Sequence, residues 1–421
     1  MSPIRRFTHD TFRSLRHRNF RLFFGGQLVS QVGNWLTLVT QVLLVLRITD
    51  SALALGLLAA AQFGPVLLLG PFAGLVADRS DKRRLLLIVQ SLAMLQSFAL
   101  AALAFLPEPP LAGIFAIAVL GGVTVAFDNP ARRAFVVEMV PPAEINNAVS
   151  LNSALMTSSR VIGPALAGLL VSTVGFGWTF VADGVSYVAV LAALLAMRST
   201  ELHRGPVTPR AKGQVREGLR YARRTPDVWA PLVMMAVVGT LAFNFQTVLP
   251  LFVTRDLGGD ETVFTILFSV VSVGSLVGAL AVARRTTMDV RGVGVSAVVF
   301  GVSMGLLALA PNLAVAMPIG VLVGFGSIGF LTASTAIVQL RADAAMRGRV
   351  LALQAMVFLG STPIGGPILG WITQQLGARW GIVVGAVAAV GAGLWGMSPA
   401  RGGTPRDVGL TAPDTAEPAP A

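Results

Sequence analysis

Apolar residues in this chain gather in runs of about twenty, and each run is long enough to cross a bilayer as a helix. Twelve spans are predicted, at 22–46, 52–77, 85–106, 111–128, 148–173, 178–197, 228–253, 262–283, 292–310, 313–340, 351–376 and 380–397. Short turn-forming clusters separate them, such as PEPP at 107–110 and the pair Pro311-Asn312. Segments of about ten residues with alternating polarity, the mark of a transmembrane barrel, do not occur. The pattern predicts an all-α membrane protein.

The longest polar stretch, 198–227, divides the spans six from six. It sets out a basic segment at 1–21, a first half at 22–197, a central loop at 198–227, a second half at 228–397 and a tail at 398–421. The tail is rich in Pro, Ala and Thr and reads as disordered. Landmarks recur between the halves. Gly74 is matched by Gly278, and Gly163-Pro164 in VIGPALAG by Gly366-Pro367 in IGGPILG. Two landmarks at nearly the same offset predict twelve transmembrane helices in two pseudo-symmetric six-helix halves.

Composition sharpens this picture. Of 421 residues, 54% are hydrophobic and 12% charged, with a mean hydropathy of +0.74. Soluble domains carry about 25% charged residues, so no water-facing surface could be built from this supply. With both termini inside, 28 of the 32 Lys and Arg residues fall on inside segments, and only Arg47, Arg255 and Arg379 fall outside. The positive-inside rule then fixes the orientation, with both termini on the cytoplasmic side. It also accounts for the net charge of +12 through anionic lipid, without nucleic acid. The first span follows a basic stretch with no apolar core and is expected to be retained; HDTFRSLRHRNF suits either a surface helix or a basic tail.

Enzyme chemistry finds no footing. A phosphate-binding G-x-x-x-x-G-K-[ST] loop is missing, so ATP is not the direct energy source. His9, His17 and His203 have no zinc-ligand partners at useful spacing, and there is no cysteine. No metal, cofactor or catalytic residue is expected.

Candidate functional residues are charged or polar positions that an oily chain has a reason to keep. GLVADRSDKRR, residues 74–84, follows span two. Gly74 and Ala77 would let another helix approach closely, Asp78 would meet the positive N-terminus of a neighbouring helix, and Arg79 would pair with Asp128. Such contacts would form a gate; Lys82, Arg83 and Arg84 read as marking an inside loop. Within the spans, Arg160 and Asp183 are candidates for a coupling pair, with structural pairing the alternative. Gln27, Gln31, Asn34 and Gln41 share one face of span one, and Thr240, Asn244 and Thr247 share one face of span seven. These stripes are candidates for cargo binding beside Trp35, Phe243 and Phe245, with interhelical hydrogen bonding the alternative. The two Gly-Pro pairs would kink or thin their helices.

The 6+6 repeat, the basic central loop and the signature Gly74, Asp78, Arg79, Lys82, Arg83 resemble the major facilitator superfamily. The resemblance covers residues 18–397. RNFRLFFGGQLVSQVGNWL and RVIGPALAGLL resemble more narrowly its branch of siderophore and macrolide exporters. Two departures stand out: no Arg lies in the fourth span, where many drug–proton antiporters carry one, and Ser159 stands where a Gly is expected. The resemblance implies that Asp78 meets the start of span eleven, after RGRV at 347–350, and that Gly163-Pro164 is associated with export. It implies a monomeric secondary transporter that exports a small amphipathic molecule by alternating access, in exchange for protons. Two other readings stay open. An importer of a small metabolite would need charged anchors in its cavity, and a receptor or scaffold would have no use for gate charges.

Overall fold

The computed structural model describes residues 12–203, 214–283 and 289–398. His9, the N-terminal eleven residues, positions 204–213 and the tail from 399 lie outside them. Among the described residues all regular structure is helical. The α-helices are α1 (Arg18–Thr49), α2 (Ala52–Arg79), α3 (Lys82–Ala104), α4 (Leu111–Glu138), α5 (Ile145–Ala196), α6 (Gln214–Arg224), α7 (Pro226–Leu241), α8 (Phe245–Leu251), α9 (Glu261–Ala283), α10 (Val290–Ala308), α11 (Leu313–Arg341), α12 (Ala344–Leu376) and α13 (Ala378–Met397). Among the described residues eleven helical stretches are long and apolar enough to cross a membrane, with α7, α8 and the turn after them counted together. Large apolar side chains such as Leu68, 78% exposed, and Leu309, 75% exposed, stud the outer faces. Burial against water does not explain such faces; lipid contact does.

Short polar residues start many of these helices. Ser51 Oγ accepts from Ala54 N, Asp81 Oδ1 from Arg84 N, Asp289 Oδ1 from Gly292 N and Asn312 Oδ1 from Val315 N. Each satisfies an amide that a helix start leaves without a partner. Asp81, in the middle of the charged signature, is thus the N-cap of α3.

Four spans differ from expectation. The fifth and sixth run together as α5, which a straight rod would make about 78 Å long against a hydrocarbon thickness of about 30 Å. Gly175, at φ 84° and ψ 174°, breaks it. No neighbour would crowd a side chain there, so the backbone conformation itself calls for glycine. The fourth span does not end at 128, because α4 continues to Glu138 and carries Arg132 and Arg133 within it. The seventh is discontinuous. Residues 242–244 separate α7 from α8, and a π-helical turn at Phe252–Asp256 follows Pro250. Asn244 Nδ2 donates to the Thr240 carbonyl at 2.8 Å, covering an oxygen near the break.

Helices α1–α5 form one group and α7–α13 another, and they meet along α2 with α12 and α5 with α9. The α2–α12 contact is backbone on backbone. A Cβ on Gly56 would strike the Gly366 carbonyl, and one on Gly370 would crowd the Ala52 carbonyl. At the end of the bundle opposite residue 12, the distal face, polar ties cross between the groups. Arg255 pairs with Asp50 at 3.0 Å, Arg47 with Glu261 at 3.8 Å, and Gln374 Oε1 accepts from Ala52 N at 2.8 Å. On the proximal face the bonds from Lys82 to Glu138, Arg83 to the Leu194 carbonyl and Arg349 to Glu217 each stay within one side of the molecule.

Candidate functional site

Among the helices of the first group lies a cavity. Three elements supply amides to its wall: Gln31, Asn34 and Gln41 from α1, Gln62 from α2, Gln90 and Gln96 from α3. Asp128 and Arg132 of α4 and Tyr187 of α5 also line it. Amides directed at lipid would be costly, which is why the polar stripe of α1 turns inward. Gln62 Nε2 donates to Gln41 Oε1 at 2.8 Å, and Gln41 Nε2 to the Ile114 carbonyl at 3.2 Å. Gln27 is fully buried behind this wall, accepting from Gln31 at 3.1 Å.

The stripe on the seventh span does not reach this cavity. Thr240 Oγ1 turns to the Ala236 carbonyl at 2.7 Å, and Thr247 is buried. Asn244 lines a separate, much smaller space with Phe245, Val248, Met304 and Ile382. Phe243 packs on Phe300 and Phe358, both with centroids at 5.2 Å. The two stripes expected to face one cargo site therefore face different spaces.

The buried charges pair differently from expectation. Asp128 is held by Arg132, one turn along its own helix, and by Gln90 Nε2 at 2.7 Å. Arg79 is exposed at the end of α2 and does not meet it. Asp78 and Gly74 are half-buried one turn apart on α2. Lys82 and Arg83, read as loop markers, instead bind: Lys82 Nζ reaches Glu138 at 2.7 Å, and Arg83 donates to the carbonyls of Leu194 and Leu195 and to Ser199. Arg132 went unrecognised because a Pro and two Arg after Asp128 looked like a loop. Its i, i+4 spacing from Asp128 was the available signal.

Asp183 is wholly buried and meets hydroxyls, not Arg160. Thr37 Oγ1 donates to its Oδ2 at 2.5 Å, Ser97 Oγ to the same oxygen at 2.6 Å, and Ser186 Oγ to Oδ1 at 3.3 Å. Thr37 and Ser97 also line the cavity, so the carboxylate stands one hydroxyl layer behind its wall. Arg160 lies with its guanidinium 5.8 Å from the centre of the Trp35 ring. Gly163 and Pro164 are buried in unbroken helix, where a Cβ on Gly163 would strike Trp35; Gly366 and Pro367 are likewise inside α12, against α2. Both pairs thin their helices at a contact.

Known proteins resemble this chain along most of its length. A family model described as transmembrane secretion effector matches residues 9–400. The staphyloferrin A transporter of Staphylococcus aureus is 25% identical over 362 residues, 85% of this chain and 90% of that protein. The multidrug efflux pump Tap of Mycolicibacterium fortuitum is 26% identical over 362 residues, 83% of this chain and 88% of that one. Among solved structures, a bacterial homologue of the human lysosomal transporter Spinster superposes with a TM-score of 0.73 at 15% identity, covering 94% of this chain and 97% of its own.

Proposed function

The chain belongs to the transmembrane secretion effectors of the major facilitator superfamily, in the branch of siderophore and drug exporters, and on that premise we propose that it exports a small amphipathic organic molecule by alternating access in exchange for protons. The observation that carries this reading is the cavity walled by neutral amides with Asp183 one hydroxyl layer behind. Amides and apolar surface accept varied cargo, because few contacts penalise a near-miss strongly. Thr37 and Ser97 offer a hydroxyl route by which a proton reaches the carboxylate from the cavity.

Alternating access needs the two helix groups to rock. The ties from Asp50 to Arg255 and from Arg47 to Glu261 support a state closed on the distal face. The basic residues of the proximal face support its assignment to the cytoplasm. The break at Gly175 supports two spans within α5, and so twelve in all.

Inverted membrane vesicles supply the test. A labelled panel of amphipathic drugs and siderophores is expected to accumulate in vesicles bearing the chain, and more so under an imposed pH gradient. Accumulation no greater than in vesicles lacking the chain would refute export, and accumulation indifferent to the gradient would refute proton exchange.

A further inference from the structure

We propose that Arg160 anchors an anionic group, a carboxylate or similar oxyanion, on the exported molecule. This rests on the exporter reading and narrows its substrate class.

Arg160 sits on the inward face of α5. Around it Ser159, Gly163, Pro164 and Ala167 are buried, whereas Ser158, Ile162 and Leu169 on the opposite face are exposed. At 100° per residue Arg160 falls in the middle of the buried arc. It is nevertheless half-exposed. The open part of its side chain therefore faces the space between helices, not lipid. Trp35, on which it stacks, also packs against Phe268 of α9, with centroids 6.3 Å apart. The guanidinium thus stands where the two helix groups meet, the zone that a rocking motion exposes to each side in turn.

A cation at such a position requires an anion. Among the described residues no carboxylate forms an ion pair with Arg160, and its Nε is buried without a hydrogen-bond partner. The two acids deepest in the first group are already occupied: Asp128 by Arg132 and Gln90, Asp183 by three hydroxyls. The ring of Trp35 holds the guanidinium from one side and leaves its donors unspent. A planar fork of donors next to aromatic surface matches a carboxylate carried on an apolar body.

The test uses the full-length chain in phosphatidylcholine nanodiscs. Its probes are 1-naphthylacetate, cholate and salicylate, each beside its own methyl ester. Wild type is expected to bind at least one acid on the order of tenfold more tightly than the ester, the difference a charge-assisted contact supplies. Arg160→Gln is expected to erase that preference and leave ester affinity within about twofold. Arg160→Lys, which keeps the charge should the neutral variant misfold, is expected to retain only part of the preference. Equal binding of acids and esters by wild type, or a preference that survives Arg160→Gln, overturns the proposal. So does stabilisation of wild type by phosphatidylglycerol but by none of the acids, since lipid would then supply the anion. Vesicle transport of the same series separates the two readings. Export of esters but not acids removes the role of Arg160 and leaves the exporter standing; acid binding without transport of any probe does the reverse.

Discussion

Thr37 on α1 donates a 2.5 Å hydrogen bond to Asp183 on α5, and through it a carboxylate buried in the first helix group communicates with the cavity. Ser97 reaches the same oxygen from α3 at 2.6 Å, so three helices converge on one acid. Asp183→Asn keeps the size but replaces an acceptor by a donor, and the hydroxyls must turn to suit it. A loss of about 1–2 kcal/mol in stability is expected, with proton-driven accumulation abolished and downhill exchange retained. Proteoliposomes with and without an imposed pH gradient measure this. Undiminished proton-driven accumulation in the variant would exclude Asp183 as the proton carrier.

The pair Asp128–Arg132 is buried, with side chains 8% exposed on each partner. Removing one member leaves the other charged and unpaired. Arg132→Ala is therefore expected to cost about 3–5 kcal/mol, and the double variant Asp128→Asn/Arg132→Gln to cost less than the sum of its parts. Arg79→Ala, at an exposed site, is expected to stay within about 0.5 kcal/mol. Melting of the detergent-solubilised variants checks all three; additive losses at 128 and 132 would show that the pair does not act together.

Asp50 and Arg255 link the two groups on the distal face. Exposed ion pairs contribute only about 0–1 kcal/mol each, so Arg255→Ala is expected to shift the balance of states modestly without destabilising the fold. A covalent link has a larger effect. The chain contains no cysteine, so Asp50→Cys/Arg255→Cys introduces a single possible disulfide. Its oxidation is expected to stop transport and its reduction to restore it. Full activity of the oxidised protein would mean that this face need not open.

Orientation is checked by labelling. Single cysteines at Arg79 and Glu108, both exposed and at opposite faces of the bundle, are expected to differ in their reaction with an impermeant thiol reagent on intact cells. Glu108→Cys should label and Arg79→Cys should not. The reverse pattern would invert the assigned topology.

Much of the fold was legible because a bilayer imposes so long an apolar run that span positions follow from hydrophobicity alone. The turn near Gly175 announced itself as an interruption between two runs. The extension of α4 did not, since Asp128, Pro130 and Arg132 are all residues a membrane helix usually avoids. The two charges are tolerated because Arg132 neutralises Asp128 one turn away. The break before Asn244 was hidden inside an unbroken apolar run. The partners of Asp183 were equally hidden: Thr37 and Ser97 lie 146 and 86 residues away in sequence, and only the relative rotation of three helices brings their hydroxyls together.

The contact of Gly56 with the Gly366 carbonyl has a mechanical consequence. Where helices interlock through side chains, those chains must be lifted out of their grooves before one element can move past another. Where bare backbone lies on bare backbone, nothing interlocks, and the surfaces resemble a plain bearing more than a gear. A bulky residue at position 56 or 366 would add a tooth to that bearing: it would slow the passage between states more than it weakened either one.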